Sequence, residues 1–292
     1  MPTVFLMGLF AAASSKRSVS GALRTAARQA WFRYLARVGF YAKALVYLVI
    51  GLLALGLALG AGGELVDSRG AITAISEAPL GAFAVAVLGV SLAGLGLWFI
   101  VDGLVDPDRL RTGRFAWVLR LGQMIGGIGY LLLATWAFAI FFGEAATDRT
   151  TDELAKSWTG HVLGVPGGTV LVFVVGTIVA IVGARQVRVG IEREFLRPLD
   201  LRSAAPAVRR GVNLTGRVGF VAQGLVFALV GLFFVQAAIE REAYEATGFD
   251  GALGVLARQR HGAVILACVS LGLLAYAAFA VFEGHFRRYG RR

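Results

Sequence analysis

Apolar residues gather into six long runs separated by short polar stretches. The runs are Gly39 to Gly60, Leu80 to Val101, Leu121 to Gly143, Val162 to Ala184, Val218 to Ile239 and Gly262 to Phe282. Each matches the roughly 20 residues that a helix needs to cross hydrocarbon about 30 Å thick. Lys43 is the only charged residue inside any of them. Lipid offers no hydrogen-bond partner to a bare backbone, so runs of this length predict helices that satisfy themselves. A further apolar stretch, Met1 to Ala13, is too short to span and has no basic segment before it. It reads as a frayed tail or a misplaced start rather than a signal peptide.

Composition agrees with the pattern. Of 292 residues, 57% are hydrophobic and 16% charged, against about a quarter charged in an ordinary soluble domain. That excludes a soluble globular enzyme and a disordered chain. The net charge is +11, which in a soluble protein would suggest nucleic acid. Here the cations flank apolar spans, so nucleic acid is not expected, and the expected contacts are anionic lipid headgroups. With the N-terminus placed inside, the outer loops hold only Arg69, Arg149, Lys156, Arg241, Arg258 and Arg260 of the 29 Lys and Arg. The positive-inside bias therefore predicts that both termini are cytoplasmic. Residues 21–37 mix arginines with Trp31, Phe32 and Tyr34 and read as an interfacial amphipathic helix leading into the first span. Residues 185–210 are similarly basic, with Pro198 and Pro206 limiting any helix there.

The runs are related to one another. ARVGFYAKALVYLVIGLL from Ala36 matches GRVGFVAQGLVFALVGLF from Gly216, and LRLGQMIGGIGYLLLA from Leu119 is a weaker copy. Each of these helices is followed by a short polar outer loop and a second apolar run. The first and third loops share Gly-Ala pairs at Gly70, Gly81, Gly251 and Gly262, and the middle loop carries Thr150-Thr151-Asp152-Glu153, the spelling of a capping box. A unit that crosses twice returns to its starting side, so three such units are parallel repeats about an axis along the membrane normal. The predicted fold is an all-α integral membrane bundle of six transmembrane helices with pseudo-threefold symmetry. Its expected parts are a tail (1–35), repeat 1 (36–103), repeat 2 (117–190), a basic linker (191–215), repeat 3 (216–284) and a basic tail (285–292).

Three tandem two-helix units opening with Arg-x-Gly at Arg37, Arg120 and Arg217 resemble the bacterial membrane family called domain of unknown function 1206, over about residues 34 to 288. The middle copy departs most, with Gln123 where the others have Phe40 and Phe220. The resemblance implies this architecture and a bacterial plasma-membrane location, and supplies no functional residues.

Candidate chemistry is thin. The catalytic spellings Gly-x-Ser-x-Gly, Gly-x-x-x-x-Gly-Lys and His-Glu-x-x-His do not occur. His161, His261 and His285 lack neighbours at ligand spacing, and the single Cys268 can form no internal disulfide. No enzyme activity, metal or cofactor is expected. Lys43 lies close enough to the inner surface to snorkel to the headgroups. Asp102 and Glu283 end the second helices of their repeats in register, and Arg37, Arg120 and Arg217 start the partner helices on the same side. These six residues form the candidate inner polar cluster, expected to act as interfacial ion pairs that anchor helix ends, or more sharply as an inner gate or proton relay. The pairs Gly56/Gly60, Gly122/Gly126 and Gly164/Gly168 have the four-residue spacing of helix-packing motifs. Tyr47, Ser91, Thr135, Thr177 and Ser270 are the mild polar groups near the midplane, with Gln223 and Gln236 toward the ends of span five. The expected role is a non-enzymatic structural or partner-binding membrane protein, with an unidentified membrane protein as partner. A small transporter or channel along the pseudo-threefold axis is the alternative.

Overall fold

The computed structural model describes residues 30–62, 65–105, 116–143 and 151–288. Among these, nine α-helices follow one another: α1 (Ala30–Ala58), α2 (Ser68–Glu77), α3 (Gly81–Val105), α4 (Ala116–Phe141), α5 (Thr151–Leu163), α6 (Gly168–Glu192), α7 (Pro206–Glu240), α8 (Phe249–Ala257) and α9 (Gly262–Phe286). Two short 3-10 turns lie at Glu194–Leu196 and Ala243–Glu245. Six helices, α1, α3, α4, α6, α7 and α9, are long and apolar enough to cross a membrane. The short helices α2, α5 and α8 each join two long ones at one end of the bundle, called here the distal end. The first and last described residues, Ala30 and Arg288, lie at the other, called here the terminal end.

The boundaries shift where proline and glycine act. The fourth run, expected from Val162, is broken at Gly164-Val165-Pro166-Gly167, where Gly167 has φ +82°. Its first residues therefore close α5, and the span starts at Gly168. Pro206 occupies the first turn of α7, where its missing N–H costs nothing. The helix then runs 35 residues, absorbing part of the stretch expected as linker. The described part of the basic entry segment is continuous with α1. The apolar stretch Met1 to Ala13, the start of the expected amphipathic helix, Thr150 of the capping box and the last tail residues lie outside the described residues.

The long helices pack in the order α4, α3, α1, α9, α7, α6, each against the next, whereas α4 and α6 form no comparable interface. The arc therefore has two ends. Within the most apolar stretches of α4 and α6 only 17% is buried, against 56% in α1 and α3. Close backbone approach sets three of the interfaces. A Cβ on Gly103 would lie 2.9 Å from the Arg120 carbonyl, on Gly190 3.0 Å from that of Arg217, and on Gly284 3.2 Å from that of Arg37. One turn or two further in, Gly96 and Gly127 face each other's carbonyls, as do Gly183 and Gly224. The corresponding positions on α1 and α9 are the buried Ala44 and Ala277. Small residues admit this approach, which is how helices associate without a hydrophobic drive in lipid.

The four-residue glycine pairs expected to pack do not do so. A Cβ at Gly60, Gly122 or Gly126 would meet nothing within 4 Å, and Gly56 and Gly164 face only backbone close by in the chain. Spacing alone cannot tell which side of a helix meets a neighbour. At the distal end the acids cap helices. Asp67 accepts from the N–H groups of Arg69 and Gly70 at the start of α2. Asp152 accepts from Gly248 N–H at the start of α8, and Asp250 accepts from Asp152 N–H at the start of α5. Thus α5 and α8, far apart in the chain, cap each other.

Candidate functional site: a buried ion pair at the terminal end

The helix ends at the terminal side bring Lys43 of α1 against Glu283 of α9, Nζ to Oε2 at 3.8 Å. Both side chains are almost fully buried. Glu283 also pairs with Arg287, one turn later on the same chain segment. Arg37 donates from Nε to the Gly284 carbonyl at 3.1 Å. One carboxylate thus serves two cations, and a third cation is tied to the next residue's backbone.

Aromatic rings complete the enclosure. The Lys43 ammonium stands 4.5 Å from the centroid of Tyr276, and the Arg287 guanidinium 4.3 Å from that of Trp98 and 5.2 Å from that of Phe40. Ring faces carry negative potential, so they offset part of the excess positive charge in a site that excludes water. Toward the middle of the bundle, Gln223 donates to the Tyr47 hydroxyl at 2.6 Å and accepts from Gln186 at 3.4 Å. Tyr47 and Tyr276 meet edge to face at 4.8 Å. A polar row therefore crosses the bundle from α9 through α1 to α7 and α6.

The expected cluster is partly assembled. Lys43, Glu283 and Arg37 converge. Lys43 does not snorkel: it is 5% exposed and held by a carboxylate. The physical reason is the neighbouring helix, because α9 lays Glu283 over the face of α1 that a lone helix would have shown to lipid. Asp102 is buried at the end of α3, and both it and Arg120 are engaged by other groups. Arg217 stands apart, with an exposed side chain and only its carbonyl turned to Gly190.

The sequence does not single out Arg287, Tyr276, Trp98 and Gln186, and it marks Phe40 only as a matching position between two apolar runs. The four-residue step from Glu283 to Arg287 was a legible signal. The aromatic box was not, since aromatic residues on spans are ordinary. The midplane hydroxyls of Ser91, Thr135, Thr177 and Ser270 all donate to carbonyls three or four residues earlier in their own helices. They are satisfied locally. Among the described residues no group of three or more His, Cys, Asp or Glu could hold a metal ion.

Outside the spans, burial and the nearby carboxylates of Asp67 and Asp152 raise Asp250 above the usual carboxylate range. Lys156 offsets part of this charge by pairing with Asp152 at 2.7 Å.

The family model described as Domain of Unknown Function matches residues 38–106 and 218–287, the two segments that contribute α1, α3, α7 and α9. Uncharacterized protein YxxB of Bacillus subtilis is 29% identical over 254 residues, which cover 87% of this chain and 90% of that protein. No solved structure matches the chain.

Proposed function

Taking as premise that the chain belongs to the family Domain of Unknown Function (DUF1206), we propose that it is a non-enzymatic membrane scaffold that binds a partner protein in the bilayer. In this reading three parallel two-helix repeats are arranged about a pseudo-threefold axis in a bacterial plasma membrane, with cytoplasmic termini. The equivalent close approaches of Gly103, Gly190 and Gly284 to the carbonyls of Arg120, Arg217 and Arg37 support the threefold relation. The skewed distribution of cations supports the orientation.

One observation carries the scaffold role. The intramembrane charges are engaged by the protein itself: Lys43 and Arg287 both pair with Glu283 inside a box of Phe40, Trp98 and Tyr276. A charge satisfied in this way holds helices together, and it has no free valence to offer a passing solute. Transport usually relies on polar groups or broken helices at the midplane. The second reading, a small ion or solute transporter, draws on the Gln186–Gln223–Tyr47 row, whose outer member sits on α6 at the end of the arc.

Purified protein in liposomes, tested for ion and proton flux, separates the two. The scaffold reading expects no flux above protein-free vesicles and a reproducible co-purifying membrane protein. Robust flux that disappears in both Asp102→Asn and Glu283→Gln would overturn it.

A further inference from the structure

A closed ring of six helices has six neighbour interfaces, and among the described residues α4 and α6 make none comparable to the other five. The register identifies what is missing. Gly39 of α1 lies against the Ser91 carbonyl and Leu95 of α3, and Gly219 of α7 lies against Tyr276 of α9. Gly122 holds the same place in α4, two residues after Arg120, as Gly39 follows Arg37 and Gly219 follows Arg217. Leu95 and Tyr276 each precede by eight residues the glycines Gly103 and Gly284, and the residue eight before Gly190 is Val182 of α6. Gly122 and Val182 would therefore be the pair that closes the arc. Instead a Cβ on Gly122, Gly126 or Gly129 would meet nothing within 4 Å, and Val182 is exposed.

The α6 side of this seam is a row. Leu171, Val175, Ile178 and Val182 follow at steps of four and three and are all exposed, so they share one face. Arg185 continues the row three residues on. It is exposed, and it pairs with no acid among the described residues. Its neighbour Arg188 differs, being paired with Glu192 at 2.8 Å. Arg185 lies five residues before Gly190, about 7 Å along the helix, so its guanidinium can reach the headgroup level while its stem stays in hydrocarbon. A gap between helices in hydrocarbon is not left empty, because its walls would forfeit their dispersion contacts. An acyl chain fits an apolar seam. Cations between spans at one end of a bundle hold anionic headgroups.

We propose that one anionic phospholipid of the bilayer occupies the seam between α4 and α6. Its acyl chain lies along Gly122 and Gly126 and the Val182 row, and its phosphate is held by Arg185. The site rests on the six helices being membrane spans, and it is independent of whether the protein is a scaffold or a transporter.

The test uses the full chain in nanodiscs of phosphatidylcholine with a minority of phosphatidylglycerol. Native mass spectrometry after mild release counts retained phosphatidylglycerol. One molecule per chain is expected. Arg185→Gln should weaken retention about fivefold, from about 1 kcal/mol per basic residue. Gly126→Leu should displace the chain without lowering thermal stability, since its side chain enters open space. Arg188→Gln should leave retention unchanged. Equal retention in the parent, Arg185→Gln and Gly126→Leu would overturn the site. If Gly126→Leu proves unstable, the contrast between Arg185→Gln and Arg188→Gln still decides. A second measurement oxidises Gly122→Cys/Val182→Cys in a Cys268→Ser background. Slow disulfide formation in phosphatidylglycerol discs supports a filled seam. Rapid, complete formation regardless of lipid would mean the two helices already touch, and would also overturn it.

Discussion

Glu283→Gln removes the one anion shared by Lys43 and Arg287 while keeping the size of the side chain. At 3.8 Å and an effective dielectric constant of about 20, the Lys43–Glu283 attraction alone is about 4 kcal/mol. Both partners are nearly out of solvent, so the substitution leaves two cations facing rings and lipid. Removing one partner of a buried pair costs about 3–5 kcal/mol, much of it the cost of the stranded charge. Lys43→Met should be milder, about 1–2 kcal/mol, because Glu283 keeps Arg287 and the new side chain packs against Tyr276 and Phe40. Adding Lys43→Met to Glu283→Gln should recover part of the loss, since one stranded cation is then gone. The assay is reversible unfolding in mixed micelles by increasing SDS fraction, followed by far-UV circular dichroism. Glu283→Gln within 1 kcal/mol of the parent would show that water reaches the pair, and Lys43→Met costing more than Glu283→Gln would show that the lysine matters for another reason. Either result refutes the reasoning.

Three further outcomes follow from particular contacts. Gly96→Ala puts a Cβ 2.7 Å from the Gly127 carbonyl and should lose about 1–3 kcal/mol by overpacking, whereas Gly122→Ala faces open space and should gain about 0.5–1 kcal/mol from reduced backbone freedom; the same unfolding titration reads both. Asp250 has a raised pKa in the fold, so the native state holds its proton above the pH at which the unfolded chain releases it; the resulting stabilisation is complete below the unfolded value of about 3.9 and is lost as pH rises through the raised one. Melting temperatures between pH 4 and 7 should therefore fall less steeply with rising pH in Asp250→Asn, and parallel curves would contradict the burial argument. In a Cys268→Ser background, an impermeant maleimide added to intact cells should label Glu245→Cys and spare Arg202→Cys, and the opposite pattern would reverse the proposed orientation.

The sequence by itself determined six long apolar helices, because each apolar run has the length of a membrane crossing and lipid permits only a self-satisfied helix there. It also marked Arg37, Arg120 and Arg217, each two residues before a glycine, and the structure sets the backbone of each against Gly284, Gly103 and Gly190. The break at Pro166-Gly167 was missed, because length made the run look continuous from Val162, although proline and glycine are the residues that end a helix. What the tertiary structure alone decided is which face of each helix meets which neighbour. Gly122 and Gly126 looked like a packing motif and face open space, while Gly127, one residue on, carries the α3 contact. The fate of Lys43 was decided in the same way. Alone on α1 it would reach for the headgroups, but α9 comes from more than 200 residues later in the chain and brings Glu283 to it. Hydropathy reports transfer from water to lipid, a property of one helix at a time. Pairing depends on steric fit and charge between two helices, and in hydrocarbon, where apolar residues gain nothing by leaving lipid, that fit is decided only when the helices meet.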